Sequence, residues 1–526
     1  MTTTVRDRVH ELLRVHGMTT VYGNPGSTEL GFLTRWPDDF RYVLGLSEAA
    51  VVAMADGHAQ VTGTPVLVNL HSAAGLGNAM GSIVAARANR APLVILVGQQ
   101  ERALLAHDPF LGSADPTLFP LPYAKQSWQP ARAADVPAVL ARAIRTAAQA
   151  PYGPVVVSVP NDDWNTSTET TDPTILQPLG GHAFAPDPAV LEDIATALQN
   201  SHRPAIVVGS AVDQDHAVTH AITLADACGA TVFAAPMSSR CSFPEEHPRF
   251  GGHLPASPGP LAEALQWHDL VLVVGAPAFT YHVNSAPGPA LPPLVVISDD
   301  DQILARASGV VLRSTMAAAL RALADRIIPT NVAEPEPRAL PANPVAPTEG
   351  KSLPAEYVLA TLRSVLPVDA LIVEEVPSHR AAVHDFLPIT GIDTGLLTTG
   401  GGVLGYALPA AIGAGLAAPH RPIVVLVGDG SLMYNVQALW TAVRHRVPIT
   451  VLVLDNNGYG ALRDMAAAAG ATAVPGLEWG GLDPVCLAAG MGCTGKYLDS
   501  TADLPAELAK AVADTAPSLL HITVPR

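Results

Sequence analysis

Short apolar runs recur along the whole chain and most constrain its fold. Each run is followed by a turn of Gly, Asn, Ser or Asp, and then by an Ala-rich stretch with a helical pattern. The runs are residues 65–70, 92–97, 154–159, 205–208, 270–274, 293–297, 422–427 and 448–454. Continuous apolar strands that alternate with helices are typical of parallel sheets covered on both faces. The sequence therefore predicts an α/β fold of doubly wound domains.

Two segments interrupt this rhythm. Residues 165–188 are rich in Thr, Pro and Gly, and residues 329–354 contain Glu-Pro-Glu-Pro followed by two further prolines. Such compositions are typical of linkers between domains. They divide the chain of 526 residues into three α/β units, which we place at residues 1–165, 185–330 and 355–526.

The charge balance excludes several classes of partner. Lys and Arg number 30 against 47 Asp and Glu, so the net charge is −17, and the chain has no basic tract. Such a chain is a poor binder of nucleic acid or of an anionic membrane. Charged residues make up only 15% of the chain, against about 25% in ordinary domains. This low charge predicts large buried subunit interfaces and hence a homo-oligomer.

The cysteines and one uncharged stretch bear on localisation. The four cysteines form no Cys-x-x-Cys pair and are too sparse for a disulfide scaffold; they are Cys228, Cys241, Cys486 and Cys493. Residues 394–419 carry no charge and are long enough to cross a bilayer, but three successive glycines and Pro409 interrupt them. We expect a buried loop and helix there, no membrane span, and a cytoplasmic protein.

One pair of motifs predicts a metal–diphosphate site. Gly428-Asp429-Gly430-Ser431 ends one apolar run, and Asp455-Asn456-Asn457-Gly458 ends the next. A glycine turn presents backbone N–H groups to a phosphate, while an aspartate and an amide oxygen suit Mg²⁺. Gly-Asp-Gly alone more often marks a turn and helix start, but the second strand end in register favours the clamp.

These motifs resemble the signature of thiamine-diphosphate enzymes. Five further segments resemble benzoylformate decarboxylases in order and spacing, and lie at residues 24–27, 47–49, 71–75, 275–282 and 407–411. The resemblance covers almost the whole chain. It implies a pyrimidine-binding, a middle and a diphosphate-binding domain, with thiamine diphosphate and Mg²⁺ as cofactors. It also implies an active site shared between subunits, in a dimer of dimers.

The resemblance implies roles for individual residues. The metal ligands are Asp429, Asn456 and the carbonyl of Gly458, although the shifted Asn pair leaves Asn457 as an alternative to Asn456. Further cofactor contacts are Gly402, Leu404, Gly430, Ser431 and Tyr459. Glu48 hydrogen-bonds the pyrimidine ring, His71 and His282 transfer protons, and Ser27 binds the substrate's carboxylate and carbonyl.

Each of these residues also has an ordinary structural explanation. Glu48 suits the first turn of any helix, Leu404 suits any core, and Ser27 suits any turn. A single histidine is usually a core or surface residue, and this chain has 18. The resemblance, rather than residue type alone, selects the functional interpretation.

Residues 400–405 match the dinucleotide motif G-x-G-x-x-G, but we interpret the match as misleading. No acidic residue follows about 20 positions later, as that motif requires. The middle domain contains a Val-Val-Gly turn at which some thiamine enzymes bind FAD or ADP. Benzoylformate decarboxylases do not, and we predict no nucleotide there.

The substrate side of the site departs from the benzoylformate decarboxylase pattern. The predicted substrate pocket consists of Phe110, Leu111, Thr399 and Met465, which offer fewer aromatic rings than that family uses. Residues 376–380 also replace its run of small hydroxyl residues. We expect a decarboxylase of a benzoylformate-like 2-oxo acid, and these departures favour a small, branched or polar acid or a different aldehyde acceptor. The alternatives are a carboligase using the same cofactor, a nucleotide-dependent dehydrogenase, and a non-catalytic relative.

Overall fold

The computed structural model of this chain describes residues 3–168, 176–177, 183–329, 336, 338–348, 352–471 and 473–525. Its strands form three six-stranded sheets. Every pair of neighbouring strands within these sheets is parallel. The predicted α/β class with three parallel sheets is confirmed.

The first sheet lies near the N-terminus. Its strands are β1 (Thr20–Asn24), β2 (Arg41–Leu44), β3 (Val66–Leu70), β4 (Leu93–Gln99), β5 (Ser127–Trp128) and β6 (Val155–Pro160). Their order is β2-β1-β3-β4-β6-β5. The helices of this unit are α1 (Val5–Val15), α2 (Leu30–Leu33), α3 (Glu48–Thr62), α4 (Ser72–Ala88) and α5 (Val136–Ala148).

The second sheet belongs to the middle unit. Its strands are β7 (Pro204–Val208), β8 (Thr231–Ala234), β9 (Phe250–His253), β10 (Leu270–Val274), β11 (Leu294–Ser298) and β12 (Val310–Arg313). Their order, β12-β11-β10-β7-β8-β9, is that of dinucleotide-binding folds. The helices are α6 (Pro188–Asn200), α7 (Ser210–Gln214), α8 (Val218–Cys228), α9 (Pro258–Leu265), α10 (Asp301–Leu304) and α11 (Met316–Ala324).

The third sheet repeats the strand order of the first. Its strands are β13 (Leu371–Glu375), β14 (Leu396–Thr398), β15 (Ile423–Gly428), β16 (Ile449–Asp455), β17 (Thr494–Tyr497) and β18 (Ser518–Thr523). Their order is β14-β13-β15-β16-β18-β17. The helices are α12 (Ala355–Val365), α13 (Arg380–Phe386), α14 (Ala407–Ala417), α15 (Asp429–Asn435), α16 (Ala438–His445), α17 (Gly460–Ala468), α18 (Pro484–Gly490) and α19 (Leu504–Ala513).

Local sequence explains where several of these elements begin and why the strands are central. Thr4 and Asp7 form a capping box at the start of α1. Asp187 accepts backbone N–H bonds at the start of α6, whose first residue is a proline. Every residue of β3 is buried, as expected for a strand covered by helices on both faces.

The first and third units pack through equivalent helices. Both α3 and α14 connect the second and third strands of their own units, and they lie against each other along their length. A Cβ added at Gly57 would lie 1.9 Å from the Ala410 carbonyl oxygen, and a Cβ added at Gly413 would lie 1.7 Å from the Met54 carbonyl oxygen. Only glycine permits so close an approach. One continuous apolar core then joins the two units.

Parts of the two predicted linkers lie outside the described residues, among them residues 169–175, 330–335 and 349–351. The domain boundaries placed from these linkers stay a prediction. The uncharged stretch at residues 394–419 contains β14 and α14. Among the described residues, every helix is too short or too polar to span a membrane.

Candidate active site

The Gly-Asp-Gly turn lies where the third sheet changes its strand order. β15 ends at Gly428 and α15 begins at Asp429, beside the ends of β13 and β16. In open α/β sheets, ligands bind beyond the carboxyl ends of strands at such a point. Asp429 is buried, and its Oδ2 accepts the N–H of Gly458 at 2.9 Å. The two predicted motifs therefore meet in space.

The turn after β16 leaves one amide oxygen free. Asn456 is buried, and its side-chain oxygen has no hydrogen-bond partner. Asn457 takes a left-handed φ of 58°, and Gly458 follows with a φ of 145°. Buried polar atoms normally have a hydrogen-bond partner, so the unpartnered Asn456 oxygen is suited to bind a cation. This set of oxygen donors fits Mg²⁺.

The pKa values of the two aspartates of the site are shifted in opposite directions. Burial, and then the neighbouring Asp455, raises the pKa of Asp429 to about 6. Burial also acts to raise the pKa of Asp455, but the His521 imidazole, 2.7 Å away, and the hydrogen bond from the Asn457 N–H together outweigh it, and the pKa is lowered. A cation at Asp429 would relieve this repulsion, since it favours both charged forms.

A cavity of about 440 Å³ opens at this edge of the third sheet. It gathers all the residues predicted to hold the cofactor, together with one predicted proton-transfer residue and one predicted pocket residue. They are Gly402, Leu404, Asp429, Gly430, Ser431, Asn456, Gly458, Tyr459, His282 and Met465. The backbone N–H of His282 donates to the Ala256 carbonyl at 2.8 Å.

The triple-glycine loop contributes to this cavity. It runs between β14 and α14, and both Gly402 and Gly405 take positive φ values, of 67° and 87°. The backbone N–H groups of Gly405 and Ala407 donate to the Glu375 carboxylate at 2.6 and 2.7 Å. Glu375 thus holds the loop over the strand ends. Burial raises the pKa of Glu375 to about 7, despite those bonds.

A second group of predicted residues lies on the first unit. His71 follows β3, Ser27 lies in the turn after β1, and Glu48 is the first residue of α3. An added Cβ at Gly75 would lie 3.4 Å from Glu48 Oε1 and 3.5 Å from His71 Cβ, so these two side chains are neighbours. The Asn78 amide also lies 3.3 Å from Glu48 Oε2. This edge is likewise the point where the strand order changes.

The two groups do not meet within one chain. Glu48, His71 and Ser27 are absent from the lining of the 440 Å³ cavity. Three of the four predicted pocket residues are absent too. Phe110 is 85% exposed, Leu111 has a φ of 63°, and Thr399 is buried with its hydroxyl unpaired.

Sequence reasoning did not single out two buried carboxylates. Glu29 accepts the N–H of Gly26 at 2.7 Å and lies 2.9 Å from His71 Nδ1. Glu375 holds the glycine loop, as described above. Glu29 lies just after a Gly-Ser turn and Glu375 at the end of an apolar run, features that the sequence does show. The bonds that join Glu29 to His71 and Glu375 to the glycine loop are long-range and leave no local pattern.

In the sequence, His379 stood out only as part of the departure of residues 376–380 from the benzoylformate decarboxylase pattern. It lines the cavity, and its Nε2 is buried without a partner. Burial lowers the pKa of His379. The neighbouring lining includes Val376, Leu462 and Met465, so this imidazole has apolar side chains beside it.

Known proteins match this chain along nearly its whole length. Three family models match: the N-terminal TPP binding domain of thiamine pyrophosphate enzymes at residues 3–117, the central domain at 191–327 and the C-terminal TPP binding domain at 375–522. A benzoylformate decarboxylase from Pseudomonas aeruginosa is 40% identical over 99% of this chain and 98% of its own.

Solved structures show the same likeness. A thiamine diphosphate-dependent 4-hydroxybenzoylformate decarboxylase from Rhodococcus jostii RHA1 has a TM-score of 0.95 and 39% identity, and the match covers 99% of both chains. A benzoylformate decarboxylase from Polynucleobacter necessarius has a TM-score of 0.95 and 35% identity, covering 99% of this chain and 98% of its own. This chain belongs to the thiamine pyrophosphate enzyme family, and the resemblance seen in its sequence is confirmed.

Proposed function

We propose that this chain is a thiamine-diphosphate-dependent carboxy-lyase that converts a benzoylformate-like 2-oxo acid into an aldehyde and CO₂. The single observation that carries the proposal is the orphaned Asn456 oxygen beside the buried Asp429, in a cavity at the ends of β15 and β16. Relatives that are benzoylformate decarboxylases, at 35–40% identity over nearly full length, support it.

The third unit has the groups that would hold the cofactor. Asp429 Oδ, Asn456 Oδ1 and the Gly458 carbonyl would bind Mg²⁺, and the backbone of Gly430 and Ser431 would face the diphosphate. Gly402 and Leu404 would contact the rings. When bound, thiamine diphosphate supplies the electron sink that allows the carboxylate carbon to leave as CO₂.

The chain's own side chains then manage protons and the substrate. Glu48 would donate or accept a hydrogen bond at the pyrimidine ring. His71 and His282 would deliver a proton to the carbon that loses CO₂ and take one from the hydroxyl group that becomes the aldehyde carbonyl, as imidazoles can near neutral pH. Ser27 would hold the substrate carboxylate. The apolar lining of the cavity would disfavour the carboxylate relative to the neutral aldehyde.

The active site would be completed by a second copy of the chain. Within the part of the chain that the structure describes, no residue of the first unit lines the cavity around Asp429, whereas Glu48, His71 and Ser27 lie on that unit. A homo-oligomer with shared sites would bring the two groups together, and we propose a homotetramer built as a dimer of dimers. Light scattering of the purified protein would measure its mass.

Complementation between two inactive variants tests the shared site. Glu48→Gln spoils the first-unit group and Asp429→Asn the third-unit group, so each variant alone should be inactive. Co-expressed chains should regain about a quarter of wild-type activity, because random pairing leaves some sites with both intact groups. Failure to regain activity would show that each chain builds its own site.

A panel of aryl, branched and hydroxylated 2-oxo acids, followed for CO₂ and aldehyde, tests the reaction. An aryl substrate should react best, because Val376, Leu462, Met465 and Tyr434 line the cavity. Release of CO₂ without free aldehyde, when a second aldehyde is added, would favour the carboligase instead. No CO₂ from any acid would contradict the proposed function.

The compartment is a further part of the proposal. Cys228, Cys241 and Cys493 are buried, Cys486 is exposed, and all four are free thiols. Free thiols are typical of a reducing compartment, so we place the enzyme in the cytoplasm. Fractionation of cells that express the native gene would test this placement.

A further inference from the structure

Three metal-ligating side chains meet outside the active site, between the middle and third units. Glu245 lies in the loop before β9, His253 ends β9, and His384 lies on α13. Their ligand atoms, one from each residue, all lie within 4.8 Å of one another. Glu245 is fully buried.

One carboxylate oxygen is the centre of this cluster. Glu245 Oε1 lies 2.9 Å from His253 Nε2 and 2.7 Å from His384 Nδ1. The other oxygen, Oε2, accepts the backbone N–H of Ile389 at 2.8 Å, and the Glu245 N–H donates to the Ile389 carbonyl at 3.0 Å. The backbone therefore fixes the carboxylate and leaves Oε1 directed at the two imidazoles, as outer partners fix metal ligands.

The spacing is slightly short for zinc. Zn–ligand bonds of about 2.1 Å in the tetrahedral geometry that zinc prefers place ligand atoms about 3.4 Å apart, so the two distances above must widen by about 0.5 to 0.7 Å. The imidazole rings are 3.9 Å apart between centroids, at 36° to each other, so they approach Oε1 side by side. Side-chain shifts of about half an ångström would admit the ion.

The surrounding charges leave this carboxylate available. A cavity of about 410 Å³ is lined by all three residues and would admit an ion and its water ligands. Three guanidinium groups line this cavity and already have carboxylate partners: Arg240 with Asp213 at 2.7 Å, Arg338 with Asp385 at 2.5 Å and Arg380 with Glu374 at 3.0 Å. Glu245 has only the two histidines and a backbone N–H as partners among the bonds described above, so its negative charge can meet a cation.

We propose that Glu245, His253 and His384 form a binding site for a divalent transition-metal ion such as Zn²⁺, separate from the active site. Two imidazoles and one carboxylate are the donor set of zinc and its neighbours, whereas Mg²⁺ prefers oxygen alone. On binding, the ion takes the place of the two N–H protons that face Oε1, and each neutral imidazole carries its proton on the opposite ring nitrogen.

The consequence of such a site is a cross-link between units. Two ligands belong to the middle unit and one to α13, which directly follows the cavity-lining segment at residues 376–379. A bound ion would hold α13 against β9 and would raise the melting temperature, because it binds only the folded protein.

Metal analysis of the full-length holoenzyme tests the site. The enzyme, with thiamine diphosphate and Mg²⁺ in excess, is dialysed against micromolar Zn²⁺ and then measured by inductively coupled plasma mass spectrometry. About one zinc per chain should remain with wild type. His253→Gln and His384→Gln should each retain less than a tenth of that amount. Glutamine can still donate an N–H to Glu245, so the hydrogen bond is kept while the metal ligand is lost.

The matched control is His247→Gln, in the same loop as Glu245. His247 Nδ1 accepts the N–H of Arg249 at 3.2 Å and belongs to no ligand cluster among the described residues. This variant should keep the zinc and the zinc-dependent rise in melting temperature. Equal zinc content in all four proteins would overturn the proposal.

A measurement on wild type alone guards against variants that fail to fold. Co²⁺ added to the holoenzyme should produce visible absorption bands of a nitrogen- and oxygen-ligated ion, and one equivalent of Zn²⁺ should abolish them. Absence of the bands would mean a hydrogen-bonded cluster only, and would also overturn the proposal. Neither result depends on decarboxylase activity, so the site and the proposed function are tested separately.

Discussion

His71 Nδ1 lies 2.9 Å from Oε2 of Glu29, a carboxylate that is only 1% exposed. Thr28 Oγ1 donates to the other oxygen of Glu29 at 2.6 Å and itself lies 3.0 Å from His71 Nδ1. This arrangement places the ring proton on Nδ1 and leaves Nε2 to accept or deliver a proton. Glu29 is therefore a positioning residue for the proposed proton transfer.

Replacing Glu29 by glutamine should lower kcat by about 10- to 100-fold with little change in KM. The amide can offer its N–H to Nδ1 and so favour the wrong tautomer, while substrate contacts stay in place. Steady-state kinetics on a reactive 2-oxo acid would measure both constants. Glu101→Gln, at an exposed carboxylate of the same unit, should behave as wild type. An unchanged kcat in Glu29→Gln would refute the positioning role.

Glycine at position 413 should be essential for stability. An added Cβ would lie 1.7 Å from the Met54 carbonyl oxygen, so Gly413→Ala would push α14 away from α3. Overpacking of this kind costs about 3 kcal/mol or more. A large drop in the melting temperature, measured by circular dichroism, is the expected result.

The control for that change is Gly490→Ala, also within a helix. No atom lies within 4 Å of a Cβ added at Gly490, the last residue of α18. This substitution should be neutral or stabilise the protein by up to about 1 kcal/mol. Similar melting temperatures for the two variants would show that α3 and α14 can separate freely.

The fold class was predictable because parallel strands covered on both faces are continuously apolar. β3, β4 and β16 bury nearly every residue, and their runs stand out in the sequence. The short edge strands are different: β12 and β17 are mostly exposed, β17 has no apolar run, and that of β12 is only three residues long. The shared strand order of the first and third sheets was not visible in the sequence either, because the order of strands in a sheet depends on how the chain folds and not on the spacing of residues along it.

The site was predictable in part for a related reason. Asp429 and Asn456 each lie two residues beyond the last residue of an apolar run, so the sequence itself marks them as residues at strand ends. The carboxylates Glu29 and Glu375 act through hydrogen bonds to groups 30 or more positions away, as from Glu375 to Gly405. The structure was also needed to find that Glu48, His71 and Ser27 lie apart from the Asp429 cavity, since no pattern in the sequence shows this separation.

Arg240 should be a major determinant of how the three units hold together. This buried side chain of the middle unit donates to Asp213 and Thr394, each at 2.7 Å, and also bonds Gln60 of the first unit. Arg240→Met would leave the buried Asp213 charge unpaired, at a cost of about 3–5 kcal/mol. Chemical denaturation should show a much earlier unfolding midpoint.

Two further variants make the Arg240 result specific. Adding Asp213→Asn to Arg240→Met removes the unpaired charge and should recover part of the loss. Arg249→Met breaks an ion pair whose partner, Asp226, is 53% exposed, and should cost less than about 1 kcal/mol. If Arg240→Met were no worse than Arg249→Met, the network would contribute little.

Asp56 should make stability depend on pH. Its oxygens accept the Tyr406 hydroxyl at 3.1 Å, across the contact between the first and third units, and the Asn89 amide of its own unit at 3.0 Å. Burial, which outweighs these bonds, raises the pKa of Asp56 to about 6 from an ordinary value of 3.8. The folded protein therefore holds this proton more tightly than the unfolded chain, and the resulting stability is full below pH 3.8 and is lost as the pH rises to about 6.

Asparagine at position 56 keeps one acceptor oxygen for the Asn89 amide, presents an N–H donor to the Tyr406 hydroxyl, which can accept it, and cannot ionise. The stability of Asp56→Asn relative to wild type should therefore increase between pH 4 and 6, by up to about 1.4 kcal/mol per pH unit. Urea denaturation at several pH values measures that difference, and Asp38→Asn, at an exposed position, should follow the wild-type profile. A difference that stays constant over this range would mean that Asp56 is already charged in the folded protein at pH 4, with a pKa close to that of the unfolded chain.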